Sequence, residues 1–394
     1  MEPLRITDLF LRRFRSYEQG ELHDLGPLTV LVGPNAAGKT NVVEAVQLLT
    51  AQTTFRHAPS AQLVRHGASA ARIGLSATDG NRLVELSLSI EEGRRYQLNG
   101  KAKRPADLKG LLPSVTFTPD DLDLVKGPQG NRRRALDALG AQLNKNYYLI
   151  RKDYDKVLRH KNRLLKEQAS EALLESIDEM VVRVGAQLTC YRAALFEKLA
   201  AAMVRAYQRI SHGAEELRPW FAPSWLAEGS GAGAAFPSAD ALSPEGASAV
   251  GRAPAAATGF APSFTREEAA EALYRQVATR RPEERARGRA LVGPQADAIG
   301  FELDGLASQL YGSQGQQRSI VLAWKLAEAE VIEDMLGTFP VLLLDDVMSE
   351  LDGRRRQALV DYLAHGAQAL ITTANLDYFD GAMLEEARVV RLPL

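Results

Sequence analysis

Apolar positions recur at two periods along the chain, and the changes of period divide it into segments. Leu4 to Leu11 and Leu28 to Val32 read as strands, and a glycine-rich turn from Gly33 to Gly38 follows the second. Val42, Val43, Val46 and Leu49 then recur at helical spacing, which predicts a helix over Lys39–Leu49. Beyond it the period falls to two. Val84, Leu86, Leu88 and Ile90 alternate with Glu85, Ser87 and Ser89, Ile73, Leu75 and Ala77 suggest a partner strand, and Asn99-Gly100 marks a turn. This stretch reads as an antiparallel sheet inserted after the first helix. Val115 to Thr118 reads as a short buried strand, and Thr118, Pro119 and Asp121 fit a helix start, so that Asp120 and Asp121 read as capping groups before metal or nucleotide contacts.

From Asn131 to about His212 the helical period dominates. Leu136, Leu139, Leu143, Tyr147, Ile150, Tyr154 and Leu158 form one stripe, and Leu174, Ile177, Val181, Val184, Leu188, Tyr191, Leu195 and Leu199 a second. A break at Glu167 to Ser170 between them predicts an antiparallel helical hairpin. Residues 227–263 have no period, and 28 of the 37 are Ala, Gly, Pro or Ser, so this segment is expected to be a flexible insertion. Thr265 and Glu268 predict a capping box after it. Strand and helix then alternate again: Val341 to Leu344 and Ala369 to Thr373 are apolar runs of buried parallel strands, with helices over Gln316–Met335 and Arg354–Leu363.

Composition excludes some classes. Of 394 residues 45% are hydrophobic and 25% charged, as in an ordinary globular protein. No run reaches the roughly 18 apolar residues of a membrane helix, and Met1 to Arg15 lack the apolar core of a signal peptide. The single cysteine, Cys190, admits no internal disulfide, suits a reducing cytoplasm and reads as a small thiol on an apolar helix face. The six histidines show no spacing that suggests a zinc site. Net charge is −1, so only its distribution is informative, and that distribution is lopsided. From Lys126 to Lys166 there are twelve lysines and arginines against three aspartates. Arg132, Arg133, Lys145, Arg151, Lys152, Lys156 and Arg159 lie there, and such a face would neutralise DNA phosphates without reading bases. The plainer alternative is a solvated helix face, with Tyr147, Tyr148 and Tyr154 serving in packing.

Three motifs carry chemistry. Gly33-Pro34-Asn35-Ala36-Ala37-Gly38-Lys39-Thr40 fits the phosphate-loop pattern, between a strand and a helix where it must lie. Its backbone N–H groups would cradle phosphates, Lys39 would reach the β and γ phosphates, and Thr40 would ligate Mg²⁺. Val341 to Leu344 is an apolar strand ending in Asp345 and Asp346. Asp345 would hold Mg²⁺ and Asp346 would orient or deprotonate the attacking water. A second anion cradle, Ser313-Gln314-Gly315-Gln316, precedes the helix before that strand.

That second cradle resembles the signature motif of ABC-class ATPases, which caps ATP held by a partner subunit, and Ser349-Glu350-Leu351-Asp352 resembles the class's D-loop. Four blocks in order resemble the RecF family of bacterial recombination and repair proteins. They are Phe14-Arg15-Ser16-Tyr17; Pro119-Asp120-Asp121-Leu122 with Val125-Lys126-Gly127 and Arg132-Arg133; Ser313 to Arg318 with Leu326 to Glu330; and Leu343 to Val347 with Ser349 to Asp352. The chain departs from the pattern at Ala36, where a glycine is usual. It also departs at Gly293-Pro294-Gln295-Ala296-Asp297, which lacks the family's basic pair. Thr372-Thr373 stands where transporter ATPases place a histidine, which fits slow hydrolysis.

The expected architecture is therefore α/β: an ABC-type P-loop ATPase head with an inserted antiparallel sheet and a projecting α-helical lobe. Its parts would be an ATPase lobe over 1–125, a helical lobe with the insertion over 126–290, and a second ATPase lobe over 291–394. The resemblance implies an ATP- and Mg²⁺-dependent homodimer, a weak DNA-stimulated ATPase that clamps double- and single-stranded DNA at gaps or junctions in the cytoplasm. It further implies that the protein acts with RecR and RecO to load RecA in recombinational repair, replication restart and the SOS response. An ABC transporter subunit is the rival reading; the missing histidine and the basic helices oppose it. An SMC-type clamp would need far longer arms, and a metabolic kinase would have no use for the second cradle.

Overall fold

A computed structural model of the chain describes residues 3–226, 259–379 and 381–393. Most of the small-residue segment expected to be flexible, 227–258, lies outside the described residues. Contacts group the chain into two compact units, 1–121 with 328–394, and 122–327. Residues 291–327, which the sequence pattern joins to the last lobe, fall in the second unit.

The first unit opens with β1 (Arg5–Phe14), β2 (Tyr17–Leu22), β3 (Leu28–Val32), α1 (Lys39–Thr50) and the single turn α2 (Ser60–Leu63). It continues through β4 (Ala71–Thr78), β5 (Leu83–Ile90), β6 (Arg94–Leu98), β7 (Lys101–Lys103) and β8 (Ser114–Phe117). The second unit holds α3 (Asp123–Lys126), α4 (Gln129–Leu143), α5 (Lys145–Lys166), α6 (Glu171–Ser211) and β9 (Leu217–Ala222). After these come α7 (Arg266–Arg287), β10 (Ala298–Leu303), β11 (Leu306–Ala307) and α8 (Ser308–Tyr311). The division falls within α9 (Gln314–Leu336), and the first unit resumes with β12 (Val341–Asp345), α10 (Gly353–Leu363), β13 (Ala369–Thr373), α11 (Gly381–Glu386) and β14 (Arg388–Arg391).

A five-stranded parallel sheet, in the order β14-β3-β13-β12-β8, is the floor of the first unit. Every residue of β12 and β13 is buried, as strands covered on both faces require, and this is why they read as unbroken apolar runs. α1 is buried all round, at Val42, Val43, Ala45, Val46, Leu48 and Leu49, because it is covered on opposite sides. One core joins it to Leu31, Leu343 and Leu370 of the parallel sheet and to Leu9, Leu11, Ile73, Leu75, Leu86 and Leu88 of a second sheet.

That second sheet has six strands in the order β2-β1-β4-β5-β6-β7. It is not simply an insertion after the first helix. β1, from before the phosphate loop, pairs with both β2 and β4 and is integral to it. β2 escaped the pattern because it buries only Tyr17, Gly20 and Leu22.

In the second unit the first helical stripe is two helices, not one. Asn144 breaks it: its backbone is extended, and its side chain accepts from the Asn146 and Tyr147 N–H groups to cap α5. The break before Glu171 and the Thr265–Glu268 capping box are present as the sequence predicts. α6 runs 41 residues and buries one stripe along its length.

Charge holds this bundle together from within. The Asp137 carboxylate accepts from Tyr147 Oη (2.8 Å), Arg151 Nε (2.6 Å) and Arg192 Nε and Nη2 (2.9 and 2.8 Å). Arg192 also donates to Asp297 Oδ2 at 3.0 Å, so one buried guanidinium ties α4 and α6 to the strand entry at β10. Burial pushes the Asp297 carboxyl up to about 6, against the opposing effect of Arg192 and the Ser224 N–H. Removing one partner of such a pair leaves an uncompensated charge. Arg192→Met should therefore destabilise the protein by about 3–5 kcal/mol at neutral pH. Arg192 holds the Asp297 pKa down to about 6, so without it the carboxyl takes up a proton above that value, and the part of the deficit due to Asp297 should shrink as pH falls toward about 6. Chemical denaturation at two pH values checks both statements; a pH-independent deficit would contradict the second.

Candidate functional site

Register across three parallel strands builds the site. Thr373 pairs with Val32 and Asp345 with Thr372, so the start of the phosphate loop and the acidic strand end emerge at one edge of the sheet. Ligands of open α/β sheets bind at this carboxyl edge. Thr40 Oγ1 donates to Asp345 Oδ1 at 3.0 Å, and Thr372 Oγ1 donates to the same oxygen at 2.8 Å. Burial raises the Asp345 carboxyl, against the two threonine bonds and the nearby Arg56 cation.

The loop itself is shaped by close approach. A side chain at Gly33 would meet the Leu392 carbonyl at 2.7 Å. Gly38 has φ of 95°, and a Cβ there would lie 2.8 Å from the Tyr17 hydroxyl. Tyr17 is buried against the loop, its hydroxyl has no hydrogen-bond partner among the described residues, and burial pushes its pKa up to about 12. Ala36 has φ of 67°. The substitution of alanine for glycine there is thus not free: the position demands the left-handed region, where a Cβ costs about 1–2 kcal/mol. Lys39, nearly buried, donates from Nζ to the carbonyls of Gly33 (2.7 Å) and Pro34 (3.0 Å), which holds its ammonium at the centre of the loop.

Mg²⁺ fits these residues. The donor set is a hydroxyl and a carboxylate, hard oxygens suited to this ion. Among the described residues no group of three acidic, histidine or cysteine side chains forms a metal cage. Thr40 and Asp345 would hold the ion, which would supply positive charge toward a bound phosphate. Asp346 follows with φ of 55°, its N–H donating to Thr372 Oγ1 at 2.9 Å. Ser349 and Asp352 have local partners: Ser349 Oγ donates to the Asp346 carbonyl, and Asp352 caps α10 and pairs with Arg355.

Behind the loop lies a cluster that the motifs did not reveal. Glu44 is fully buried in α1 and takes a bidentate contact from Arg15, with both distances 2.8 Å. Arg56 stands 3.7 Å from the same carboxylate and donates to Asn41 at 3.1 Å. One carboxylate thus faces two guanidinium groups. The surplus positive charge is close enough to Asp345 to act on its titration. The only signal in the sequence was a lone acid within Val42-Val43-Glu44-Ala45-Val46.

The second cradle, Ser313 to Gln316, begins α9 in the other unit. Gln316 N donates to Ser313 Oγ at 3.2 Å, and Ser313 N donates to Gln316 Oε1 at 2.7 Å, a reciprocal capping box. Gln316 also donates to Glu215, while Ser313 and Gln314 are exposed. The basic cluster is narrower than its sequence suggests. Arg132 is buried and donates to the carbonyls of Leu124 and Val125, so it cannot meet DNA. Arg133 donates to the Asp297 carbonyl, and Arg151 is held by Asp137 and Asp155. Lys145, Lys152, Lys156 and Arg159 are exposed on α5.

The sequence matches the family model described as the RecF/RecN/SMC N terminal domain over residues 5–391. A Synechococcus protein described as a DNA replication and repair protein RecF is 34% identical over 392 residues, covering 98% of this chain and 95% of that one. One of the same description from Symbiobacterium thermophilum is 34% identical over 376 residues, covering 94% and 92%. A solved structure described as the recombination mediator protein RecF-ATP in the RecFOR pathway superposes with a TM-score of 0.80 at 27% identity. It covers 95% of this chain and 93% of that one. No helix among the described residues is long and apolar enough to cross a membrane.

The loop geometry gives opposite signs for two neighbouring substitutions. Ala36→Gly should leave the melting temperature unchanged or raise it, because relief of about 1–2 kcal/mol of strain outweighs the 0.5–1 kcal/mol entropic cost of glycine. Gly38→Ala adds strain and drives a methyl into Tyr17, so it should abolish nucleotide binding. Thermal unfolding and ATP titration distinguish the two; tight ATP binding by Gly38→Ala would refute the geometry.

Proposed function

The chain belongs to the RecF family, and on that premise we propose that it is an ATP-switched DNA-binding protein of replication and recombinational repair. The observation that carries the reading is the convergence of Lys39, Thr40 and Asp345 at one sheet edge from positions some 300 residues apart. ATP-bound structures of a relative support the nucleotide.

In this reading Lys39 exchanges the carbonyls of Gly33 and Pro34 for β- and γ-phosphate oxygens. Thr40 and Asp345 hold Mg²⁺, which supplies positive charge against those oxygens. Asp346 orients the attacking water, and Arg56 adds a second cation from the Glu44 cluster. Ser313 and Gly315 bind the γ-phosphate of ATP held by a second copy, with Ser349 and Asp352 passing between copies. ATP thereby glues a dimer, and hydrolysis, slow without a histidine at Thr372-Thr373, releases it. Lys145, Lys152, Lys156 and Arg159 hold DNA phosphates, in double- or single-stranded form. RecR and RecO are the partners that the name of the relative's pathway suggests, and RecA loading, replication restart and the SOS response are the roles we assign on the family resemblance. The cytoplasm is the compartment.

Sedimentation with and without ATP is the central test. Lys39→Ala should remain monomeric in ATP, and a dimer of undiminished strength would remove the phosphate loop from the account. Ser313→Arg should bind ATP as a monomer yet fail to associate; a variant that dimerises normally would show that its cap is only structural. Reversing Lys152, Lys156 and Arg159 to Glu should flatten the dependence of log K on log salt by about two to three, near 0.9 per lost phosphate contact. A slope that does not move would place DNA on another surface.

A further inference from the structure

The face of the six-stranded sheet turned away from α1 contains a cavity of about 540 Å³. Its walls are made by the side chains that alternate with the core positions. Arg12 on β1 lies directly opposite Arg72 on β4. Ser89 follows on β5, and Arg95 opposes Ser89 from β6. At about 4.8 Å per strand, this row of guanidinium groups spans roughly 14 Å. Like charges set directly opposite one another destabilise a sheet, yet none of the three forms an ion pair among the described residues. Two acids share the lining, Glu21 and Glu85, and neither pairs with these arginines among the described residues; Glu21 contacts His23 and Gln19 instead. One step along the strands, Phe10 opposes Gly74, and the ring is 39% exposed beside a floor that bears no side chain.

A row of unpaired arginines, an exposed ring over an open floor, and a volume in the range of about 300–1,000 Å³ form a coherent set. We propose that this face binds a nucleotide with a terminal phosphate. The phosphate meets Arg12 and Arg72, for which guanidinium geometry is suited. The base stacks on Phe10 above Gly74. Arg95, beyond the cavity, receives the next phosphate of a strand. The chemistry is shared by the 5′ end of a DNA strand and by a free nucleotide, and the test separates them.

The test is calorimetric titration of the full chain with 5′-phosphorylated thymidine dinucleotide, the same dinucleotide without its 5′-phosphate, and thymidine monophosphate. The phosphorylated dinucleotide should bind, loss of its 5′-phosphate should weaken binding at least tenfold, and Arg12→Glu with Arg72→Glu should abolish it. Lys39→Ala should bind equally well, since the phosphate loop is not involved; loss there would assign the signal to that loop and overturn the proposal. Equal affinity for the monophosphate would identify free nucleotides as the source, and a preference for the dinucleotide a strand end. Gly74→Val tests the base position. Its Cβ would make only ordinary contacts, 3.5 Å to the Leu86 carbonyl and 3.8 Å to Ser87 Cβ, so the sheet is retained while the floor closes. Undiminished binding by Gly74→Val or by the double arginine variant, or no binding by the unaltered chain, would overturn the assignment.

Discussion

The register of three parallel strands is the constraint on which the candidate nucleotide site depends. β3 delivers the phosphate loop, β12 delivers Asp345, and β13 delivers Thr372, each at its carboxyl end. A slip of one residue between any two would turn side chains to the other face and separate Thr40 from Asp345. Both faces of β12 and β13 are close-packed, so a slip would press each side chain into a space shaped for another. The packing that makes these strands hard to orient from their pattern is therefore what makes the site geometry reproducible. Gly33, under the Leu392 carbonyl, adds the edge strand β14 to the same dependence.

Buried charge does different work in the two units. In the first, Glu44 meets Arg15 in a bidentate pair and leaves Arg56 as surplus, so the arrangement is biased toward positive charge beside Asp345. In the second, Asp137, Arg192, Asp297 and Arg151 close on one another, and the bundle gains orientation instead of a field. Buried ion pairs are weak contributors to net stability but severe when halved. The second network is best understood as fixing how α4, α5 and α6 meet the entry to β10.

What could be read in the sequence was chemistry carried by consecutive residues. Eight positions from Gly33 to Thr40 spell the whole phosphate-loop pattern, and an apolar run ends in the candidate metal acid Asp345, so no long-range contact was needed to single out either. Family membership followed from the order of such blocks. The rest required contacts. Glu44 with Arg15 depends on a pairing 29 residues apart. β2 and β6 bury too few residues to impose a period. Net charge over residues 126–166 was informative only in sum: it counted Arg132, which is buried, and Arg151, which Asp137 and Asp155 hold, together with Lys152 and Lys156, which face solvent. Lys161, another member, is buried between Asp178 and Glu284.

The capping box at Ser313 narrows how the proposed second cradle could act. A hydroxyl has one donor and two acceptor positions, and Gln316 N–H occupies one acceptor. The proton stays available, so Ser313 can donate to a phosphate oxygen without surrendering its cap. Gln316 is different: its carbonyl oxygen takes the Ser313 N–H and its amide nitrogen donates to Glu215. A phosphate arriving from a second copy would compete with the Gln316 oxygen for the Ser313 N–H while leaving the Glu215 contact in place. The glutamine side chain thus occupies one donor that an anion at this helix start would use. Affinity for the incoming phosphate is then set by a difference between two acceptors of one N–H, and a charged oxygen is the stronger acceptor of the two.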